Sequence, residues 1–175
     1  MSLQIGPKWN ITDALRFTPT GKHPRLHIMA ESGSFEATDQ NRSVRVRANG
    51  VDLLNSSSPR SYRLTQLRIV NGDWTLVASN GYDVYGSTVD AQAAADFIDT
   101  FQVGDLLISN TWDEPYNNSG YFTTKFRDNF YSNVLSFTRD FRDMHILIAV
   151  KGRGLIYEQH RRRYSNSIHF SGWIY

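Results

Sequence analysis

Two short segments of the sequence hold side chains that could bind a ligand. Trp112, Asp113, Glu114 and Tyr116 place two carboxylates among aromatic rings, and Arg142 supplies a guanidinium further along the chain. A carboxylate accepts paired hydrogen bonds from hydroxyl groups, a guanidinium donates several, and an aromatic ring offers a face on which a ligand can stack. These five residues are therefore candidates for ligand contact.

The two adjacent carboxylates permit other interpretations. Asp113 and Glu114 could serve as general acid and base, but adjacent residues in a turn rarely point at one reacting atom. They could instead have a structural role, by capping the next segment or by pairing with Arg142. For Arg142, next to Asp143, a buried or half-buried ion pair and a ligand contact both stay open. The sequence predicts no catalytic residue, and hence no enzyme.

Three other patterns suggest chemistry only at first sight. His23 and His27 have the i,i+4 spacing of metal ligands, but Pro24 between them favours extended chain, in which they diverge. The segment Lys151–Gly154 lacks the full phosphate-loop pattern, so its glycines are expected to form a turn. The run Arg161–Arg163 is expected to form a solvated or subunit-contacting face. We therefore expect no metal, no cofactor and no nucleic-acid partner.

Composition and charge agree with a single globular binding domain. The chain has 175 residues, of which 40% are hydrophobic and 21% charged, so it is long enough to bury a core. Its net charge of +2 gives no strong attraction to nucleic acid or to anionic lipid. Without cysteine, without a leader-like start and without a long apolar run, the sequence predicts synthesis in a bacterial cytoplasm and no membrane insertion.

Strand patterns dominate the first half of the chain. Apolar and polar residues alternate from Leu26 to Ala30 and again from Ser43 to Arg47, where the pattern stops at Asn49-Gly50. The segments 64–70 and 73–78 flank Asn71-Gly72, the strongest short hairpin signal, because a type I′ turn needs positive φ at both central residues.

Helices and further strands are expected in the second half. Ser87 or Thr88 can cap a helix, with Asp90 in its first turn, that ends at Gly104-Asp105. A second helix is suggested by phenylalanine at four-residue spacing within 116–133. Three buried or closing strands are predicted at 106–109, 144–150 and 168–175.

These elements predict an α+β fold that is mainly β. Two antiparallel sheets should pack together, with two or three short helices at their flanks. Residues 1–24, which contain three prolines and little periodicity, should form an N-terminal arm. That arm is expected either to pack on its own domain or to reach a partner subunit. Residues 25–175 should form one domain.

A series of short motifs runs in order through residues 25–160. They are Ser32-Gly33-Ser34-Phe35, Ala48-Asn49-Gly50-Val51, Asn71-Gly72, Tyr82-Asp83-Val84-Tyr85-Gly86, the alanine-rich helix with Phe97-Ile98, Val103–Ile108, Thr111-Trp112-Asp113-Glu114-Pro115, Phe141-Arg142-Asp143-Met144 and Lys151-Gly152 with Gly154. No single motif is specific, but the ordered set resembles the interleukin-like EMT-inducer domain, known as ILEI or PANDER.

The resemblance implies two antiparallel sheets with short helices and no catalytic activity. Members of the family serve as secreted signalling proteins or as lectin-like appendages. In a lectin-like member, the residues that correspond to Asp113 and Arg142 hold a sugar, and Trp112 or Tyr116 could stack on it. The sequence departs from the animal family in lacking its disulfide cysteines and signal peptide, and in its different, shorter tail after residue 160. These losses argue against a hormone-like function.

Cysteine-free versions without a leader resemble the copies found in tail and fibre proteins of bacterial viruses. We therefore expect a non-catalytic structural or attachment protein of a tailed bacteriophage virion, in its tail fibre, collar or baseplate. Its partners would be other virion proteins, with the chain in a homo- or hetero-oligomer, and a cell-surface glycan. The alternative is a lectin-like carbohydrate-binding module. A polysaccharide hydrolase with Asp113 or Glu114 as its acid is a third hypothesis.

Overall fold

The computed structural model describes residues 24–41, 44–53, 60–133 and 140–175. Apart from Pro24, the predicted N-terminal arm lies outside these residues, as does Ser43 at the start of the second predicted strand. Nine strands and two helices are formed by the described residues. The predicted mainly β class with two antiparallel sheets is confirmed. Neither helix in this part of the chain is long and apolar enough to cross a bilayer.

The smaller sheet contains four strands in the order β3-β2-β1-β9. Strand β1, one of its two central strands, alternates buried and half-buried residues, which gives the strand one apolar face, as the sequence predicts. The last strand of the chain closes this sheet by pairing antiparallel with the first. The strands are β1 (Leu26–Ser32), β2 (Arg45–Ala48), β3 (Val51–Asp52) and β9 (Ile168–Ile174).

The larger sheet contains five strands in the order β5-β4-β6-β7-β8, and all neighbouring pairs are antiparallel. Its outer hairpin turns at Asn71-Gly72, where φ is +53° and +87°, so the predicted hairpin is confirmed. The sequence did not predict the eighth strand. The strands are β4 (Ser61–Val70), β5 (Asp73–Tyr82), β6 (Leu106–Trp112), β7 (Met144–Val150) and β8 (Gly154–Arg161).

The two sheets pack face to face over an apolar core. Alternate residues of β7, such as Ile146 and Ile148, point into this core and meet Ile28 and Val46 of the smaller sheet. The intervening residues, such as Leu147, point to the opposite face of β7 and join a second core. Strand β7 thus carries apolar side chains on both faces, which explains the continuous apolar run at 146–150.

Two helices cover the other face of the larger sheet. The first, α1 (Thr88–Asp99), is capped by Ser87, whose hydroxyl accepts a hydrogen bond from the Asp90 amide. Its predicted end at Gly104-Asp105 is wrong. The helix ends at Asp99 and the chain then turns, with the Asp105 carboxylate accepting a bond from the amide of Gln102 (2.7 Å).

The second helix, which was predicted from the spacing of its phenylalanines, is confirmed. It is α2 (Gly120–Phe130), and Phe122, Phe126 and Phe130 are all fully buried. Its first turn has no side-chain cap, and its C-cap Tyr131 adopts a left-handed conformation with φ +60°. Tyr62 of β4 packs edge-on against Phe122 with ring centroids 4.9 Å apart. The helix is therefore held by packing of its aromatic face rather than by capping.

The β4–β5 turn generates a stability prediction. Gly72→Ala should lower the free energy of unfolding by about 1–2 kcal/mol, because an L-residue at φ +87° is strained. Gly120→Ala, at the start of α2, is the matched control and should be neutral or slightly stabilising. An added Cβ meets no atom within 4 Å at either position, so steric crowding does not separate the two variants. Urea unfolding measures both. Equal stability of the two variants would contradict a strained turn.

Candidate functional site

The candidate site lies where three neighbouring strands of the larger sheet begin or end. β4 starts at Ser61, directly opposite Trp112 at the end of β6. On the other side of β6, Asn110 pairs with Ile146, so the start of β7 lies at this same end of the sheet. Adjacent strands lie about 4.8 Å apart, so residues that flank these strand ends become close neighbours. Arg60, Asp113 and Arg142 are brought together in this way.

Asp113 and Arg142 form an ion pair, with Arg142 Nε 3.1 Å from Asp113 Oδ1. The Arg142 guanidinium also donates a hydrogen bond to Glu36 Oε1 (3.0 Å), which lies on the loop after β1. The Asp113 side chain is 10% exposed and that of Arg142 29%, so both side chains reach the surface. The structure thus brings together the two residues that the resemblance assigns to sugar binding, as an ion pair.

Both residues of this pair occupy an unusual backbone conformation. Asp113 and Arg142 each have φ +63°, in the left-handed region that residues with a Cβ seldom adopt. Such a conformation costs on the order of 1 kcal/mol or more and persists only where the surroundings fix it. Strain of this kind is often found at binding and catalytic sites. Its occurrence on both partners therefore supports this pair as part of a candidate functional site.

Glu114 fixes the backbone on both sides of the pair. Its buried carboxylate accepts one hydrogen bond from the amide of Tyr116 at Oε1 (2.8 Å) and another from the amide of Arg142 at Oε2 (2.9 Å). The hydroxyl of Ser61 donates to its main-chain carbonyl. Glu114 therefore ties together the ends of β4, β6 and β7.

Burial affects the ionisation of both carboxyl groups. It raises the pKa of Asp113 above the usual value, an effect that the Arg142 and Arg60 guanidinium groups oppose and Glu36 reinforces. Burial also raises the pKa of Glu114, although the backbone N–H groups of Tyr116 and Arg142 favour its ionised form. For both carboxyl groups, neighbouring cations or N–H dipoles oppose the effect of burial on the pKa.

A small cavity of about 80 Å³ opens beside the ion pair. The Arg60 guanidinium forms an ion pair with Asp83 (2.9 Å). The same guanidinium lies over the Tyr85 ring, with Cζ 4.7 Å from the ring centroid. Arg142 lies at the same distance, 4.7 Å, over the ring of Phe141. The cavity wall therefore combines two arginines, two aromatic residues and two acidic residues. The lining residues are Arg60, Tyr85, Asp113, Glu114, Phe141 and Arg142.

The two predicted aromatic residues lie at the margin of this arrangement. The half-buried Trp112 packs against Phe35, with ring centroids 5.0 Å apart, and does not line the cavity. Tyr116 is 51% exposed and contributes its amide to Glu114, but its ring is outside the cavity lining. Whether either ring contacts a ligand stays a prediction.

Sequence reasoning did not assign four residues that build the site: Glu36, Arg60, Tyr85 and Phe141. Tyr85 and Phe141 belong to the ordered motifs, so their position beside Gly86 and Arg142 was a usable signal. Glu36 and Arg60 had none, because each reaches the site through a contact between residues distant in sequence.

The remaining histidines and arginines of interest are held in structural contacts. His145 lies on β7 and pairs with Glu158 (3.0 Å), while His160 pairs with Asp143 (2.8 Å). Arg161 donates to the main-chain carbonyl of Ser167 (3.1 Å). Across the described ranges, no group of three His, Asp or Glu side chains is arranged to hold a metal ion. His23 lies outside those ranges.

A larger, mainly apolar groove of about 400 Å³ lies at the other end of β7. Trp74, Leu155 and Tyr175 are among its walls, and none of the five predicted site residues lines it. Its volume and apolar walls would favour this groove over the smaller cavity as a ligand site. The strained backbone and convergent charges favour the smaller cavity.

Comparison with protein-family models finds no match for this chain, and no curated protein is similar to it in sequence.

The ion pair predicts a change in the titration of Asp113. Replacing Arg142 with alanine removes the nearest cation, so the pKa of Asp113 should rise further above its usual value. Carbon-detected NMR titration of the side-chain carboxyls measures this directly. Arg162→Ala removes an exposed arginine outside the site and is the control, for which no change is expected. An unchanged Asp113 pKa in Arg142→Ala would contradict the ion pair.

Proposed function

We propose that this chain is a non-catalytic attachment module of a tailed bacteriophage virion that binds a cell-surface glycan at the Asp113–Arg142 cavity. The observation that carries the proposal is the convergence of these two residues on one cavity. Both have a backbone φ of +63°, and the buried Glu114 carboxylate holds the Arg142 backbone in place. An ILEI/PANDER-like fold is part of this proposal, supported by the ordered motifs and by the two antiparallel sheets.

The chemistry of the cavity suits the hydroxyl groups of a sugar. Asp113 offers carboxylate oxygens as acceptors, and Arg60 and Arg142 offer several N–H donors. A volume of about 80 Å³ has room for two or three water molecules, each of which occupies about 30 Å³ in the liquid. It therefore admits one or two hydroxyl groups rather than a whole sugar ring. The rest of the sugar would lie outside, against the Phe141 and Tyr85 rings.

The charge balance of the site favours a sugar without a strongly anionic group. The arginines here are already paired with acids, so no excess of positive charge remains to attract phosphate, sulfate or carboxylate. The pairs are Arg142 with Asp113 and Glu36, Arg60 with Asp83, and Arg163 with Glu36 at 4.0 Å.

The same contacts argue against a glycoside hydrolase. That reaction needs two carboxyl groups on opposite sides of the scissile bond, one of them free to give a proton. Both Glu114 oxygens accept hydrogen bonds from backbone amides, and Asp113 is paired with Arg142. A pair of adjacent residues engaged in this way supports binding rather than turnover.

A glycan array tests the proposed function. The wild-type protein should bind neutral glycans, and Arg142→Ala should weaken the strongest interaction by roughly 10- to 100-fold, the value of one or two charged hydrogen bonds. Arg142→Lys keeps the charge but loses the planar set of donors, so its affinity should lie between the two. Thermal unfolding establishes that each variant is folded.

Arg162→Ala is the matched control and should bind like the wild type. The proposal is wrong if the folded Arg142→Ala protein binds as tightly as the wild type, or if the wild type binds no glycan. Release of a cleaved sugar would favour the hydrolase instead. Placement of the gene among tail genes would support the virion context, and placement in a metabolic operon would oppose it.

A further inference from the structure

Strand β5 forms one edge of the five-stranded sheet. It is ten residues long and pairs with β4 on one side, and in the described part of the chain no strand pairs with its other side. Residues along such an edge present main-chain N–H and C=O groups that can pair with another strand.

Proline and charged side chains, two features that often protect a sheet edge, are missing from most of β5. From Trp74 to Tyr82 the strand contains no proline and no charged residue. Its side chains near the turn are exposed, with Leu76 at 41% and Val77 at 47%. An edge of this length, without charge and with exposed apolar side chains, is a site for strand pairing.

The other sheet edges within the described residues are short or covered. β3 has only two residues. β8 and β9, at the edges of different sheets, lie against each other, since the Tyr157 and Phe170 rings are 4.8 Å apart. Arg161 of β8 also donates to the carbonyl of Asn166 just before β9 (3.2 Å). β5 therefore stands apart among these edges.

A bulge shapes the exposed part of β5. The register with β4 shifts between Gln66, which faces Ala78, and Leu67, which faces Leu76, so Val77 is the extra residue. The adjacent residues Leu76 and Val77 are both exposed there. Beyond the bulge, the Ser79 carbonyl accepts a hydrogen bond from the Arg63 guanidinium (3.4 Å). The most accessible stretch of the strand is Thr75–Val77, where three consecutive residues are exposed.

The composition of β5 fits a second copy of itself. A two-fold axis perpendicular to the sheet pairs the strand with its own copy in antiparallel orientation. With the axis at Leu76, Asp73 of one copy faces Ser79 of the other, and with the axis at Val77 it faces Gly81. In neither register does a charge oppose a like charge, and the apolar residues meet at the centre.

We propose that two copies of this chain associate through their β5 strands, joining two five-stranded sheets into one continuous antiparallel sheet. The partner is another molecule of the same chain, and the contact is centred on Leu76 and Val77. This interface is independent of the Asp113–Arg142 cavity, so the two proposals can fail separately.

Sedimentation equilibrium from roughly 1 μM to 0.3 mM tests this interface. The wild type should approach twice the 20.1 kDa of one chain as concentration rises. Val77→Lys places two lysines near each other across the axis and should raise the dissociation constant at least about tenfold. Val103→Lys, which adds the same charge at a 78% exposed valine outside β5, is the control and should dimerise like the wild type.

A wild type that stays monomeric throughout this range would overturn the proposal, as would a dimer that persists in Val77→Lys. Should Val77→Lys fail to fold, hydrogen exchange of the wild type decides the question. The amides of Thr75–Val77 should exchange more slowly at high than at low protein concentration. If exchange in this stretch does not depend on protein concentration, the proposal is overturned. The same result is expected if the edge binds a different extended peptide instead of a second copy.

Discussion

The candidate site depends on one buried carboxylate. Glu114 accepts hydrogen bonds from the amides of Tyr116 and Arg142, and so joins the loop after β6 to the loop before β7. A buried carboxylate costs several kcal/mol unless donors satisfy it, and here main-chain N–H groups are those donors. The left-handed backbone of Asp113 and Arg142 is then held by its surroundings, and their side chains meet as an ion pair.

The rest of the fold serves to present these loops at one end of a rigid sheet. β4, β6 and β7 are neighbours, and their antiparallel order places one strand end and two strand starts side by side. One face of this sheet packs on the smaller sheet and the other on α1 and α2, so the central strands are buried on both faces. A site built on strand ends supported in this way can keep strained residues in position.

Local sequence patterns predicted most of the fold and part of the site. Alternation, the Asn71-Gly72 turn and the phenylalanine spacing of α2 are short-range signals, and each gave the correct element. β8 was missed because its residues are mostly half-buried and show no clear alternation. The end of α1 was placed too late because a terminal glycine signal further on outweighed the earlier turn at Thr100.

Motif resemblance predicted a joint role for Asp113 and Arg142, but it could not show how they are held. The contact of Arg142 with Glu36 spans 106 residues, and nothing local to Glu36 or Arg60 distinguishes it from any other surface charge. The position of Glu114 illustrates the same limit. The sequence left a structural role, a ligand contact and an acid open for it, whereas its bond to the amide of Arg142 depends on the distant loop before β7. Tertiary pairing decides such roles, and a single sequence does not contain it.

Amide hydrogen exchange in Glu114→Gln tests most directly whether this carboxylate holds the site together. Glutamine has one carbonyl oxygen where glutamate has two acceptors, so it can serve only one of the two amides well. At least one of the Tyr116 and Arg142 amides should exchange about tenfold faster than in the wild type, while the amide of Ile146 within the β7 ladder stays unchanged. Wild-type protection of both amides in the folded variant would contradict this account.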